Sequence, residues 1–78
     1  MVTMRLFGPA RDAAGAGTEI VEGATVGAVL EDAVTRYGDR FREVLEVSRV
    51  WVNGEPAGLA DPVDARDEVA VLPPVSGG

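Results

Sequence analysis

The sequence that decides the fold stands near the end of the chain, where residues 68–74 read Glu68-Val69-Ala70-Val71-Leu72-Pro73-Pro74. Two valines alternate with an alanine and a leucine, so the strand predicted here is apolar on both faces, as a central strand of a sheet is. The two prolines end the strand because neither can donate a backbone hydrogen bond to a neighbour. The sequence therefore predicts a central strand over residues 68–72.

One long amphipathic helix is predicted earlier in the chain. Between residues 26 and 37, apolar side chains recur at steps of three and four and so share one helix face: Val26, Val29, Leu30, Ala33, Val34 and Tyr37. Thr25 is placed to cap the first turn, and Gly38 is placed to form a left-handed C-terminal cap. Shorter helical spacing predicts a single turn over residues 11–14 and one or two turns over residues 41–45.

The remaining strands are short. Alternation of apolar and polar residues over residues 2–7 predicts the first strand, and residues 18–21 predict the second. A strand over residues 50–52 runs into Asn53-Gly54, a pair typical of a type I′ hairpin turn because both positions need a positive φ. Pro56 indicates that the returning strand is short or lies at an edge of the sheet.

A mixed sheet covered by the long helix accounts for all of these elements. If the last strand lies parallel to the first, the chain between them must cross over, and residues 26–37 form the only long element able to do so. The predicted fold is therefore α+β, a ubiquitin-like β-grasp with one long helix on a mixed sheet. Residues 1–72 are expected to form a single domain, and residues 73–78, called the tail below, a flexible extension ending in two glycines.

The composition excludes most kinds of catalysis by this chain of 78 residues. It has no Cys, no His and no Lys, so all seven basic residues are Arg. Thiolate nucleophiles, metal sites built on Cys or His, Schiff bases and isopeptide links to its own side chains are therefore excluded. The acidic cluster lacks the spacing of a calcium-binding loop, so we predict a solvated acidic face and no metal site for Asp61, Asp64, Asp67 and Glu68.

The net charge limits the classes of partner that the chain can bind, and the N-terminal sequence bears on its location. A formal net charge of −6 repels nucleic acid and anionic membranes and favours a basic protein partner. Acidic residues around the surface that binds such a partner would speed their association. The first residues hold no apolar run long enough for a signal peptide or a membrane span. The expected location is the cytoplasm.

The tail carries the reactive group. Its six residues can reach about 20 Å when extended. Gly77 and Gly78 have no Cβ, so they can pass through a channel too narrow for any side chain. The functional group at the tip is the α-carboxylate of Gly78, which is inert until a nucleotide-dependent partner converts it to an acyl-adenylate. The chain is thus not expected to be catalytic alone.

Three stretches of sequence resemble one family, the small sulfur-carrier subunit of molybdopterin synthase. They are residues 6–15, the Val52-Asn53-Gly54 turn and residues 67–78. The resemblance implies that an enzyme of the ubiquitin-activating type adenylates Gly78 with ATP, and that a sulfur donor protein then supplies the sulfur of a thiocarboxylate. It also implies that Gly77 and Ser76 help the tail enter the large synthase subunit, where sulfur passes to cyclic pyranopterin monophosphate. No cofactor is expected to bind this chain itself.

Two other functions remain open at this point. A sulfur carrier for thiazole, cysteine or tRNA thiolation would share the fold and the two glycines, and would differ only in the surface that its partners bind. A ubiquitin-like protein modifier would instead join Gly78 to a lysine of a target protein.

Partner contacts are expected on the sheet next to the point where the tail departs. The apolar candidates for these contacts are Phe7, Pro56, Leu72 and Val75. Phe7 could instead belong to the core, since a strand exposes only one of its faces. Trp51, the only Trp, is expected to be a packing residue of its strand.

Overall fold

The computed structural model describes residues 1–74, and these residues form five strands and three helices. The strands run in the order β2-β1-β5-β3-β4 across one sheet. β5 pairs in parallel with β1 and antiparallel with β3, so it occupies the centre of the sheet, as predicted. The elements are β1 (Val2–Leu6), α1 (Gly8–Ala14), β2 (Thr18–Val21), α2 (Val26–Tyr37), α3 (Asp39–Glu46), β3 (Arg49–Val52), β4 (Glu55–Pro56) and β5 (Glu68–Leu72).

A mixed five-stranded sheet with α2 as its longest helix confirms the predicted β-grasp fold. Alternate residues of the central strands point to the helices and are fully buried, as Met4 of β1 and Val69 of β5 illustrate. Burial of these apolar side chains is the main source of stability in so small a domain. The buried core consists of Val2, Met4, Leu6, Ala10, Val21, Val26, Val29, Leu30, Ala33, Phe41, Val63, Val69 and Val71.

Helix α1 is longer than the single turn predicted over residues 11–14. It begins at Gly8, directly after β1, and the Gly8-Pro9 pair that ends the strand also starts the helix. Proline suits this place because its fixed φ is helical and the first turn needs no N–H donor from it. Gly8 has a φ of +51°, a left-handed conformation that favours glycine. The added turn brings Ala10 into the core.

Both predicted caps of α2 are present, and one differs in conformation. The Thr25 hydroxyl accepts a hydrogen bond from the backbone N–H of Ala28 at 3.1 Å. Gly38 donates its N–H to the Val34 carbonyl at 2.8 Å, with a φ of +93° and a ψ of −167°. That ψ lies outside the left-handed helical region, and it redirects the chain so that α3 begins at the next residue, Asp39.

Helix α3 closes one end of the core with its only aromatic residue. It starts two residues before the predicted position, and Phe41 is completely buried. The Phe41 ring packs against that of Tyr37 with their centroids 5.2 Å apart. Burial, and to a smaller extent the nearby Glu19 carboxylate, raises the pKa of Tyr37 above its ordinary value.

The β3–β4 hairpin turns at Asn53-Gly54 as predicted. Asn53 has a φ of +51° and Gly54 a φ of +84°, the two positive values that a type I′ turn needs. The Asn53 side chain also joins the hairpin to the start of β5. Its Nδ2 donates to Asp67 Oδ1 at 2.9 Å, and its Oδ1 accepts from the Glu68 N–H at 2.9 Å.

Two substitutions of Asn53 should separate the turn conformation from these hydrogen bonds. Asn53→Gly keeps the positive φ and loses both side-chain bonds, so it should lower the free energy of unfolding by about 1 kcal/mol. Asn53→Ala loses the same bonds and also places a residue with a Cβ in a left-handed conformation that it adopts poorly. It should lower the free energy of unfolding by about 2 kcal/mol. Urea denaturation measures both values. Equal losses in the two variants would show that the turn conformation contributes nothing.

Candidate functional site

The chain leaves the sheet beside the first residue of β3. Leu72 is the last residue of β5 and is paired with Arg49 of β3, after which Pro73 is half-buried and Pro74 exposed. Because β1 runs parallel to β5, the end of β1 lies at the same end of the sheet. The predicted reactive tip is Ser76, Gly77 and Gly78, which lies outside the described residues.

One face of the sheet carries no helix, and we call it the open face. The strand register places a row of residues across it, in which Ala70 of β5 is paired with Arg5 of β1 and with Trp51 of β3. Trp51 is paired in turn with Pro56 of β4. Leu72 lies two residues beyond Ala70 and so points to the same face. We call Trp51, Pro56, Ala70 and Leu72 the apolar patch.

The structure brings together two of the predicted contact residues and corrects a reservation about a third. Pro56 is exposed and Leu72 is half-buried, both within the apolar patch. Phe7 is 42% exposed at the end of β1 where the tail departs, so the alternative that it belongs to the core is wrong. The fourth predicted contact, Val75, lies outside the described residues.

Trp51 was predicted to be a packing residue of its strand and was not among the predicted partner contacts. It is half-buried and is not part of the core, because Val50 and Val52 on either side of it face the helices. Strand alternation then turns its indole to the open face. The alternation of Val50, Trp51 and Val52 was the available signal, but it does not reveal which face of the sheet is covered. A half-exposed Trp in such a patch is typical of an interface anchor.

The charge around the apolar patch differs from that of the whole chain. Arg5 and Arg49 lie on the open face, and Glu68 is the only acidic residue at a strand position of this face. Arg5 and Glu68 form an exposed ion pair with 3.6 Å between nitrogen and oxygen. At the edge of the apolar patch, Glu55, Asp61 and Asp67 line a pocket with Pro56, while most other acidic residues lie on the helices, so the predicted acidic surround remains a prediction.

The carboxylates of the loop of residues 57–67 bond to the loop itself. The Asp61 carboxylate accepts a hydrogen bond from the N–H of Gly58 at 2.9 Å. The Asp67 carboxylate accepts one from the N–H of Asp64 at 2.8 Å. The backbone N–H and the guanidinium of Arg66 hold the pKa of Asp64 below its ordinary value.

Within residues 1–74, no group of three or more acidic side chains is placed to hold a metal ion. In the same range no helix is long and apolar enough to cross a membrane.

Comparisons with known proteins agree with this architecture. SAMP1 from Haloferax volcanii is 33% identical, with a TM-score of 0.87 over 99% of this chain and 98% of its own. CysO, in the BexX/CysO complex of Amycolatopsis orientalis, is 26% identical, with a TM-score of 0.83 and 100% of both chains covered. The putative molybdopterin converting factor subunit 1 from Pyrococcus furiosus is 27% identical, with a TM-score of 0.78 over 95% and 97%. No curated protein sequence matches the chain significantly.

The family comparison covers nearly the whole sequence. The profile of the ThiS family matches residues 4–78, from the first strand to the two terminal glycines. The similar structures share this fold, with TM-scores from 0.78 to 0.87. This chain belongs to the ThiS family and is a ubiquitin-like sulfur carrier.

Proposed function

We propose that the chain carries sulfur as a thiocarboxylate of Gly78 and delivers it to cyclic pyranopterin monophosphate in the large subunit of molybdopterin synthase. The observation that carries the proposal is the position of Pro73-Pro74, which end the central strand beside the apolar patch. A partner that binds this patch would receive the tail directly. The similarity to the Pyrococcus furiosus converting-factor subunit supports the choice of pathway.

The chemistry requires two exchanges at the Gly78 carboxyl group. In an enzyme of the ubiquitin-activating type, a carboxylate oxygen attacks the α-phosphate of ATP and pyrophosphate leaves. A persulfide of the donor protein then attacks the carbonyl carbon, and AMP leaves with the oxygen, which gives an acyl disulfide between Gly78 and the donor. A thiol then attacks the donor's sulfur atom of that S–S bond, so that a new disulfide forms on the donor and Gly78 leaves as the thiocarboxylate, with sulfur in place of one oxygen. This chain supplies only the carboxylate and the surface that presents it, and we place the reaction in the cytoplasm, where ATP is available.

The apolar patch has to supply most of the affinity for the large subunit. Holding an extended tail in a channel costs conformational entropy, about 1 kcal/mol or more for each residue that becomes ordered. Apolar anchors on a preformed sheet can offset this cost because strand pairing already fixes their positions. Trp51 and Leu72 are the largest side chains of the patch and are the expected anchors.

A protein modifier is the second candidate, and a specific similarity favours it. SAMP1, at 33% identity, is described as a small archaeal modifier protein. A modifier would need the same adenylate but would pass Gly78 to an amine of a target protein. Because this chain has no Lys, such conjugates would not form on its own side chains.

Mass spectrometry followed by reconstitution tests the proposal. The intact chain is incubated with its activating enzyme, ATP and a sulfur donor, and should gain about 16 Da as sulfur replaces oxygen. The product is then mixed with the large subunit and cyclic pyranopterin monophosphate, and should return to its starting mass as the substrate gains sulfur. A mass gain without transfer to the pterin would contradict the proposed pathway. Isopeptide conjugates in place of the thiocarboxylate would favour the modifier.

Truncating Trp51 should weaken binding of the large subunit. Trp51→Ala is expected to raise Kd about thirtyfold, because it removes an aromatic anchor worth about 2 kcal/mol at the centre of an interface. Leu72→Ala should raise it to a smaller extent. Ile20→Ala serves as the control, since Ile20 is 49% exposed on β2, at the opposite edge of the sheet from β4. Calorimetric titration gives the three affinities, and an unchanged Kd for Trp51→Ala with a native far-UV spectrum would rule out this patch.

A further inference from the structure

An apolar groove lies on the helical side of the molecule. It runs between α2 and α3, and β3 and the loop after β4 form its end. Its volume is about 660 Å³. The apolar residues that line it are Leu30, Val34, Leu45, Val50 and Leu59.

Leu59 forms an exposed wall of this groove and is held firmly in place. It is 65% exposed, although large aliphatic side chains are mostly buried in a folded domain. Its carbonyl accepts the N–H of Gly27 at 2.8 Å, and the Asp61 carbonyl accepts that of Val26 at 2.9 Å. These bonds fasten the loop to the first turn of α2. A Cβ added to Gly27 would lie 3.1 Å from the Leu59 carbonyl oxygen, so the glycine permits this close approach. The groove is therefore formed before any partner arrives.

The polar residues of the groove give it a negative charge. Glu31 of α2 and Glu46 of α3 stand on its two sides, and neither forms an ion pair within residues 1–74. Arg42, the only cation among the lining residues, is already within 3.9 Å of the Asp39 carboxylate. A partner segment with a basic group near each glutamate would complement these charges.

We propose that this groove binds an amphipathic helix of a partner protein. The helix would place two or three aliphatic side chains, spaced by three or four residues, against Leu59 and the apolar floor. Lys or Arg side chains beside them would face Glu31 and Glu46. The groove lies on the helical side of the sheet and the apolar patch on the open face, and the two meet at the β3–β4 edge, where Leu59 lines a smaller pocket with Trp51 and Pro56. This inference goes beyond the proposed function and does not depend on the chemistry of Gly78.

A designed peptide provides the test. The probe is a helical 14-residue peptide with Leu on one face and Lys on both flanks, and its control is a peptide of the same composition in scrambled order. ¹H–¹⁵N spectra of the full chain are recorded during titration. The helical peptide should shift the amide signals of Val34, Leu45 and Leu59 saturably, and the scrambled one should not. Equal binding of both peptides, no saturation at millimolar concentration, or shifts confined to the open face would overturn the proposal.

Variants matched for exposure sharpen the result. Leu59→Ser should weaken peptide binding about tenfold or more by removing an apolar contact. Val47→Ser is the control, because Val47 is also 65% exposed but does not line the groove. The double change Glu31→Gln and Glu46→Gln should weaken binding about fivefold at low salt. Equal affinities of the Leu59 and Val47 variants, both with native spectra, would refute the groove as the binding site.

Discussion

Removing Gly78 is expected to abolish sulfur transfer while leaving the melting temperature unchanged. The truncated chain loses about 3.3 Å of reach, so its new carboxyl carbon falls short of the position where activation occurs. Gly78→Ala keeps the length but adds a methyl group next to the carboxyl, and should lower the transfer rate by orders of magnitude. Both changes lie beyond the last strand, so the free energy of unfolding should change by no more than about 0.5 kcal/mol.

The two readouts separate chemistry from folding. Thiocarboxylate formation is followed by intact mass, and stability by calorimetry on the same samples. Ile20→Ala is a useful control because Ile20 lies on β2, at the opposite edge of the sheet from β4, and the substitution leaves the tail unchanged. Near-normal transfer by the truncated chain would remove the carrier proposal altogether.

The largest loss of stability is expected from a single methyl group at Gly23. Its φ is +157°, and a Cβ built there would lie 2.6 Å from the backbone nitrogen of Val29 and 2.7 Å from its Cγ2. Val29 is fully buried in the first half of α2 and cannot move without disturbing the core. Gly23→Ala should therefore lower the free energy of unfolding by about 3 kcal/mol. For a domain of this size the melting temperature should fall by about 15 °C.

Gly58→Ala is the matched control for that experiment. A Cβ at Gly58 has no atom within 4 Å, so the added methyl group meets open space. The substitution should leave stability unchanged or raise it by up to about 1 kcal/mol, since alanine restricts the unfolded chain. Similar melting temperatures for the Gly23 and Gly58 variants would show that the segment before α2 can shift at little cost.

The parts of the fold that could be predicted from the sequence are those set by residues close together in the chain. The period of α2, its Thr25 cap and the Asn53-Gly54 turn depend on neighbours within a few residues, and each is present. The extent of α1 was missed because Gly8-Pro9 both ends a strand and begins a helix. A proline stops the ladder hydrogen bonds of a strand, yet it fits the first turn of a helix.

The candidate site depended on pairings that the sequence does not display. Trp51 lies on the open face because its neighbours Val50 and Val52 are paired with the buried Val71 and Val69 of β5. The acidic surround was predicted from a net charge of −6, but a sum of charges has no position on the surface. Leu59 stands in a segment without regular period, so only its bond to Gly27 revealed that it forms one wall of a groove.

The parallel pairing of β1 with β5 governs how the chain folds. These two strands form the middle of the sheet although they come from opposite ends of the sequence. Before they meet, the β1–β2 and β3–β4 hairpins have no shared ladder, and an isolated hairpin is only marginally stable in water. Loop-closure entropy must be overcome before the central contacts form, which makes folding slow for so short a chain. Cutting the chain between β2 and β3 would thus separate the β1–β2 hairpin from the three strands β4-β3-β5, and the native five-stranded sheet could be regained only by association of the two fragments.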